Sequence, residues 1–164
     1  MPMHKLKDYN FISNNNTYII AEIGINHGGS LKSAIEIVKS ASKTGCDAVK
    51  FQTYNSEKRA SKNKFPDLYN ILKNCELSFS EFAEIKLYCD ELKIDFISTA
   101  FDEESIDYLN SIGMKIFKIS SFDLVNIKLI KKISTLGKTN ILSLGMGSRE
   151  EIRAATEALS SNPK

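Results

Sequence analysis

What most constrains this chain is a serial alternation between two hydrophobic periods. Apolar runs of β type at Tyr18 to Gly24, Asp47 to Thr53, Asp95 to Thr99, Lys115 to Ser120 and Thr139 to Gly145 are each followed by a segment with helical spacing. Strands separated by helices cannot close as hairpins, so the pattern demands parallel strands joined by right-handed crossovers. The helices are punctuated at their ends. The first has Ser30 as N-cap, the stripe Leu31, Ala34, Ile35, Val38 and Ala41, and Gly45 just past its end. Ser78-x-x-Glu81 has capping-box spacing and opens the stripe Phe82, Ile85, Cys89, Leu92. Glu103 to Ile112 and Ile127 to Leu136 are closed by Gly113 and Gly137, and Ser148-x-x-Glu151 opens a fifth helix carrying Ile152, Ala155 and Leu159. At the start, Tyr9 to Ser13 and Thr17 to Ile23 flank Asn14-Asn15-Asn16, which suits a small hairpin; residues 1–17 read as an N-terminal hairpin or cap. Tyr54 to Leu77 breaks the rhythm. It reads as a long loop, functional or mobile, with Lys58, Arg59, Lys62, Lys64 and Lys73 against Glu57 and Asp67, and is a candidate lid over a site.

Composition narrows the function. With 164 residues, 42% of them hydrophobic, the chain fits one soluble domain. Its 22 basic and 20 acidic residues are interspersed and leave a charge of only +2, so neither nucleic acid nor an anionic membrane is an expected partner. No apolar run approaches the roughly 18 residues of a spanning helix, and Met1-Pro2-Met3-His4-Lys5 lacks a signal-peptide core, so a cytoplasmic location is expected. Cys46, Cys75 and Cys89 form no Cys-x-x-Cys pair and read as reduced thiols, Cys89 as core packing. With only His4 and His27, no two-histidine metal site is expected within the chain.

Side chains alternate across a strand, so parity sorts faces. Ala48, Lys50 and Gln52 share one face of the second strand; Val49 and Phe51 share the other, the helix-packed one. The same rule puts Glu22 above Ile20, Lys50 above Ala48, Ser98 above Phe96, Lys118 above Ile116 and Ser143 above Ile141. A polar layer one step towards the carboxyl ends, over an apolar one, is the placement of an active site in a parallel barrel. It holds two ammonium groups and one carboxylate, an excess that an anionic ligand would offset. Other readings stay open: Glu22 with Lys50 as a structural ion pair; Ser98, Thr99, Ser120, Ser121 and Ser143 as strand-end or capping hydroxyls; Gly145 to Ser148 as a phosphate-facing turn or a plain one; His27 as a ligand or a loop-ordering side chain.

Ala21-Glu22-Ile23-Gly24-Ile25-Asn26-His27 with Gly29, Val49-Lys50-Phe51-Gln52-Thr53, Ile97-Ser98-Thr99-Ala100-Phe101, Phe117-Lys118-Ile119-Ser120-Ser121 and Ile141-Leu142-Ser143-Leu144-Gly145-Met146 together resemble the sialic acid synthase family. The resemblance runs in order from about Tyr18 to Leu159. It implies condensation of phosphoenolpyruvate with N-acetylmannosamine or a related hexosamine, giving a nonulosonic acid and phosphate. It implies that Lys50, Thr99, Lys118, Ser121 and Ser143 hold the phosphate and carboxylate of phosphoenolpyruvate. Glu22 would be the catalytic acid facing the sugar and handling water or a proton, with Gln52 near the same sugar. A divalent metal, Mn or Mg, would polarise the sugar aldehyde; its histidine ligands, and an antifreeze-like domain that reaches into the partner's site of a homodimer, would lie beyond Lys164. Ala100, Phe122 and Leu144 stand where the family usually has Pro, Gly and Thr. Since a complete (β/α)8 barrel takes about 250 residues, the expected fold is α/β, a partial TIM barrel of about five βα units over residues 18–164. Two alternatives compete: a non-catalytic fragment that binds phosphorylated carboxylates or assembles with a missing half, and an aldolase using Lys50 or Lys118 as a Schiff-base nucleophile.

Overall fold

A computed structural model describes residues 17–160. Five strands, β1 (Ile20–Gly24), β2 (Ala48–Thr53), β3 (Asp95–Ala100), β4 (Ile116–Ile119) and β5 (Thr139–Leu142), form one sheet in sequence order. Every pairing is parallel. The crossovers are α1 (Leu31–Ser42), α4 (Phe79–Glu91), α5 (Glu103–Ser111) and α6 (Ile127–Ser134); α7 (Arg149–Ser160) follows β5. This is the α/β architecture of a partial TIM barrel, with β1 and β5 as its edges among the described residues. The Tyr9 to Ser13 arm of the expected hairpin lies outside the described residues. No helix among the described residues is long and apolar enough to cross a membrane.

The capping residues act as their spacing requires. Ser30 Oγ accepts from the Ser33 N–H at 3.2 Å. Ser78 and Glu81 close a reciprocal capping box, and Ser148 and Glu151 exchange the same pair of bonds. Each satisfies amide groups that the helix itself leaves unbonded.

Alternation sends the bulky aromatics outward under the helices. Val49, Phe51, Phe96 and Phe117 join Val38, Phe82, Ile85, Cys89, Ile106, Leu109, Ile130 and Ile133 in the main core. Phe51 stacks on Phe96 with ring centroids 5.8 Å apart and meets Phe82 edge-on at 6.3 Å. Burial pushes the Cys89 thiol up to about 12, which keeps it protonated and inert. The opposite face carries a separate apolar layer of Ala48, Ile97 and Ile116, joined by Tyr18, Ile20 and Ile141.

That layer corrects one expectation. Ile97, not Phe96, faces inward, because β2 and β3 pair Lys50 with Ile97 and Gln52 with Thr99. Ser98 therefore points towards the helices, where its hydroxyl lies 2.8 Å from that of Thr53. The sequence Phe96-Ile97-Ser98-Thr99 places an apolar and then a polar residue on both faces, so parity alone was ambiguous; the stacking of Phe96 on Phe51 decides it.

The Tyr54 to Leu77 segment is also not a loop. It folds into α2 (Ser56–Arg59) and α3 (Pro66–Cys75), with Asn55 capping α2 and Pro66 at the first position of α3. Tyr54, Ala60, Tyr69 and Leu72 make a small core of their own, closed by Ile25 and Phe101 from the ends of β1 and β3. The Tyr54 hydroxyl donates to the Leu72 carbonyl at 3.0 Å. At Gly29, φ is +76° and an added Cβ would sit 2.1 Å from the Asn74 carbonyl oxygen. The end of α3 thus rests on the β1–α1 turn, and only glycine allows that approach.

Candidate active site

Two residues beyond each inner apolar side chain, the strands present a polar one. Glu22 follows Ile20, Lys50 follows Ala48, Thr99 follows Ile97, Lys118 follows Ile116, and Ser143 follows Ile141. The register ties them laterally, with Glu22 opposite Lys50 and Thr99 opposite both Gln52 and Lys118. Glu22, Lys50, Gln52, Thr99, Lys118 and Ser143 thus lie on the same face or end of the sheet, and Thr99 takes the place assigned to Ser98.

Lys50 is buried, and its Nζ lies 3.1 Å from Glu22 Oε1; the Glu22 side chain is 61% exposed. The carboxylate sits on β1, an edge strand among the described residues. Lys118 Nζ donates to Ser143 Oγ and, at 3.1 Å, to the Ile119 carbonyl. Burial lowers the Lys118 pKa below the usual lysine value; the nearby Lys50 charge adds to that and Glu22 opposes it. Lys118 is thus within electrostatic reach of both Lys50 and Glu22. Thr99 is 1% exposed, and its hydroxyl finds no hydrogen-bond partner among the described residues. A buried hydroxyl without a partner costs about 1–3 kcal/mol, which a ligand oxygen would recover.

The loops complete the rim. Ser121 opens a 3-10 turn (Ser121–Asp123) that Ser120 caps. Its Cβ lies 3.9 Å from where a Gly145 Cβ would stand, so the turns after β4 and β5 adjoin. Gly24, at φ +59°, would carry a Cβ 3.4 Å from Glu22 Oε1 and 3.6 Å from Gln52 Nε2, which brings these two side chains to one corner. Phe122, Leu144 and Met146 are exposed around the same end of the sheet.

His27 is not part of the mouth. It is buried with its ring 5.9 Å from Phe51, on the helix side, and Nδ1 accepts the Gly29 N–H at 3.2 Å. Burial lowers its pKa, so the ring is neutral at neutral pH and orders the turn. Among the described residues no three His, Cys, Asp or Glu side chains converge as metal ligands. The residues present do not by themselves fit a divalent ion.

Sequence reasoning missed the role of Arg59, recorded only as one of several basic residues. Its guanidinium lies over the rings of Phe101, at 4.0 Å, and Phe122, at 4.9 Å. No local signal predicts a contact among three separate connections.

Comparison with known proteins bears on the fold and the family. An uncharacterized protein of Methanocaldococcus jannaschii is 43% identical over 146 residues, covering 89% of this chain and 43% of the relative. The N,N'-diacetyllegionaminic acid synthase of Campylobacter jejuni is 37% identical over 158 residues, covering 89% of this chain and 47% of the enzyme. The chain thus spans under half the length of either curated relative. The crystal structure of an N-acetylneuraminic acid (sialic acid) synthetase from Leptospira borgpetersenii in complex with citrate superposes with a TM-score of 0.85 at 38% identity, covering 89% of this chain and 50% of that one. Residues 37–164 match the NeuB family, the larger part of the chain, and the chain belongs to that family.

Proposed function

We propose that this chain carries the phosphoenolpyruvate-binding part of a synthase that condenses phosphoenolpyruvate with N-acetylmannosamine or a related hexosamine. One observation carries the reading: a mouth with two ammonium groups against one carboxylate, beside a buried Thr99 hydroxyl that has no partner among the described residues. Phosphoenolpyruvate brings about three negative charges and several acceptor oxygens, the complement of lysines and hydroxyls. Family membership and the names of the relatives support the same reaction class.

In this reading Lys50, Lys118, Thr99, Ser121 and Ser143 bind the phosphate and carboxylate. The enolpyruvyl methylene carbon attacks the sugar aldehyde, forming the carbon–carbon bond and leaving positive charge on the adjacent carbon. The Glu22 carboxylate faces that charge, accepts a proton from the water that quenches it and passes that proton to the oxygen of the former aldehyde, which becomes a hydroxyl. Collapse of the resulting hemiketal phosphate breaks the carbon–oxygen bond, releases phosphate and leaves a keto acid. Gln52, at the Glu22 corner, hydrogen-bonds the sugar. No step is assigned to a metal, because this chain's described residues do not assemble ligands for one.

Calorimetric titration of phosphoenolpyruvate into the chain tests the reading. Binding is expected at neutral pH and much weaker binding of pyruvate, which lacks the phosphate; no binding of phosphoenolpyruvate by the folded chain would refute it. The pH dependence has a defined sign. The folded Lys118 pKa lies below its unfolded value, so between the two the unfolded chain holds more protons, and this group adds stability as pH rises through that window. A bound anion favours the charged lysine, so any neutral Lys118 amine takes up a proton as the anion binds. Affinity should therefore fall as pH rises from neutrality towards the ordinary lysine pKa, with uptake of at most about one proton on binding.

The lowered Lys118 pKa also favours a second reading, a Schiff-base aldolase. Borohydride in the presence of pyruvate would then add a covalent mass at Lys118 or Lys50; an unmodified chain removes it.

A further inference from the structure

We propose that Arg59 is a positioning residue that latches the α2–α3 cap onto the turn carrying Ser121. The cap belongs to the β2–α4 connection, yet Arg59 at the end of α2 reaches across the sheet. Its guanidinium stacks over Phe101 after β3 and over Phe122 after β4. It pairs with no carboxylate among the described residues, so the two ring faces are its counterpart. A planar, delocalised cation suits that position better than an ammonium, since it is weakly hydrated and stacks on both faces.

Phe122 is 65% exposed and follows Ser121 in the 3-10 turn. Phe101 is held in the small cap core with Tyr54, and their ring centroids are 6.3 Å apart. Arg59 thus joins Phe101, packed against the cap core, to the exposed ring of Phe122. Phe122 is the middle residue of the 3-10 turn, so fixing its ring fixes the backbone on which Ser121 sits. At its other end the cap is seated by the Asn74 carbonyl against Gly29. The Asn55 N–H also donates to Asp102 at 3.2 Å and Lys58 meets Glu104 at 2.6 Å, so Arg59 is the tie that reaches the turn after β4 while the others hold the cap to the β1–α1 and β3–α5 connections.

The latch stands on geometry alone; its effect on ligand binding rests on the reading of Ser121 as a phosphoenolpyruvate donor. Two variants separate charge from bulk: Arg59→Leu keeps apolar packing, and Arg59→Lys keeps a cation. Amide hydrogen exchange of the free chain over residues 54–60 and 119–124 reads the latch directly. Arg59→Leu should speed exchange in both segments by roughly three- to thirtyfold, the range of a cation–aromatic contact, with the sheet strands unchanged. Arg59→Lys should recover part of the protection. Phosphoenolpyruvate affinity should fall by a similar factor in Arg59→Leu. Exchange as in the unaltered chain for Arg59→Leu, or equal loss in both variants, would overturn the charge-based latch. Faster exchange with unchanged affinity would overturn its positioning role. Should the unaltered chain bind no phosphoenolpyruvate, the reading of the mouth fails while exchange still decides the latch.

Discussion

Lys50→Met is expected to weaken phosphoenolpyruvate binding by about ten- to a hundredfold, whereas Glu22→Gln should leave it equal or tighter. The contrast follows from sign. Lys50 is buried, with its Nζ 3.1 Å from the Glu22 carboxylate. Removing the ammonium leaves one cation facing one carboxylate, so an incoming trianion meets no net attraction. It also strands the carboxylate beside that anion. The Glu22 side chain is 61% exposed, so the loss expected is that of the charged hydrogen bond from Lys50 to the ligand, about 1.5–3 kcal/mol, and tenfold in affinity is about 1.4 kcal/mol. Neutralising Glu22 removes repulsion instead, and the loss appears in product formation. Were the pair only structural, both variants would disturb the mouth alike, and titration of each against phosphoenolpyruvate separates the two accounts.

The largest effect on stability is expected at Phe51→Ala. This ring is fully buried, stacks on Phe96, meets Phe82 edge-on and lies under His27. It joins β2, β3, α4 and the β1–α1 turn. Removing a buried phenylalanine costs about 3–5 kcal/mol, a large share of the roughly 5–15 kcal/mol that holds a domain folded. Leu87, 63% exposed on α4, provides the control, and its alanine variant should stay within about 0.5 kcal/mol. Urea unfolding followed by circular dichroism measures both; a Phe51 variant within 1 kcal/mol of the parent would contradict this account of the core.

The alternation of strands and helices was legible because each helix buries a periodic stripe and begins at a residue that caps it, as at Ser30, Ser78 and Ser148. Strand ends shifted by a few residues: Lys115 to Ser120 shortened to Ile116–Ile119. Four layer members, Glu22, Lys50, Lys118 and Ser143, followed from parity, since their strands have one polar and one apolar face. β3 has no such contrast, and Ser98 was therefore misplaced. The cap escaped because its helices are short and its core draws on Ile25 and Phe101, distant in sequence. Asn55 before α2, Pro66 at the start of α3, and the apolar pair Tyr69 and Leu72 were the signals present. The Arg59 contact has no local signal, because it forms only once three strand ends are side by side.

Diffraction from crystals of the chain grown with phosphoenolpyruvate would test the central claim most directly. The account predicts the ligand at the carboxyl ends of β2 to β5, with an oxygen accepting from the Thr99 hydroxyl and others from Lys50, Lys118 and Ser143. A ligand bound elsewhere, with the Thr99 hydroxyl still unpartnered and the Lys50 and Lys118 ammonium groups untouched, would contradict it.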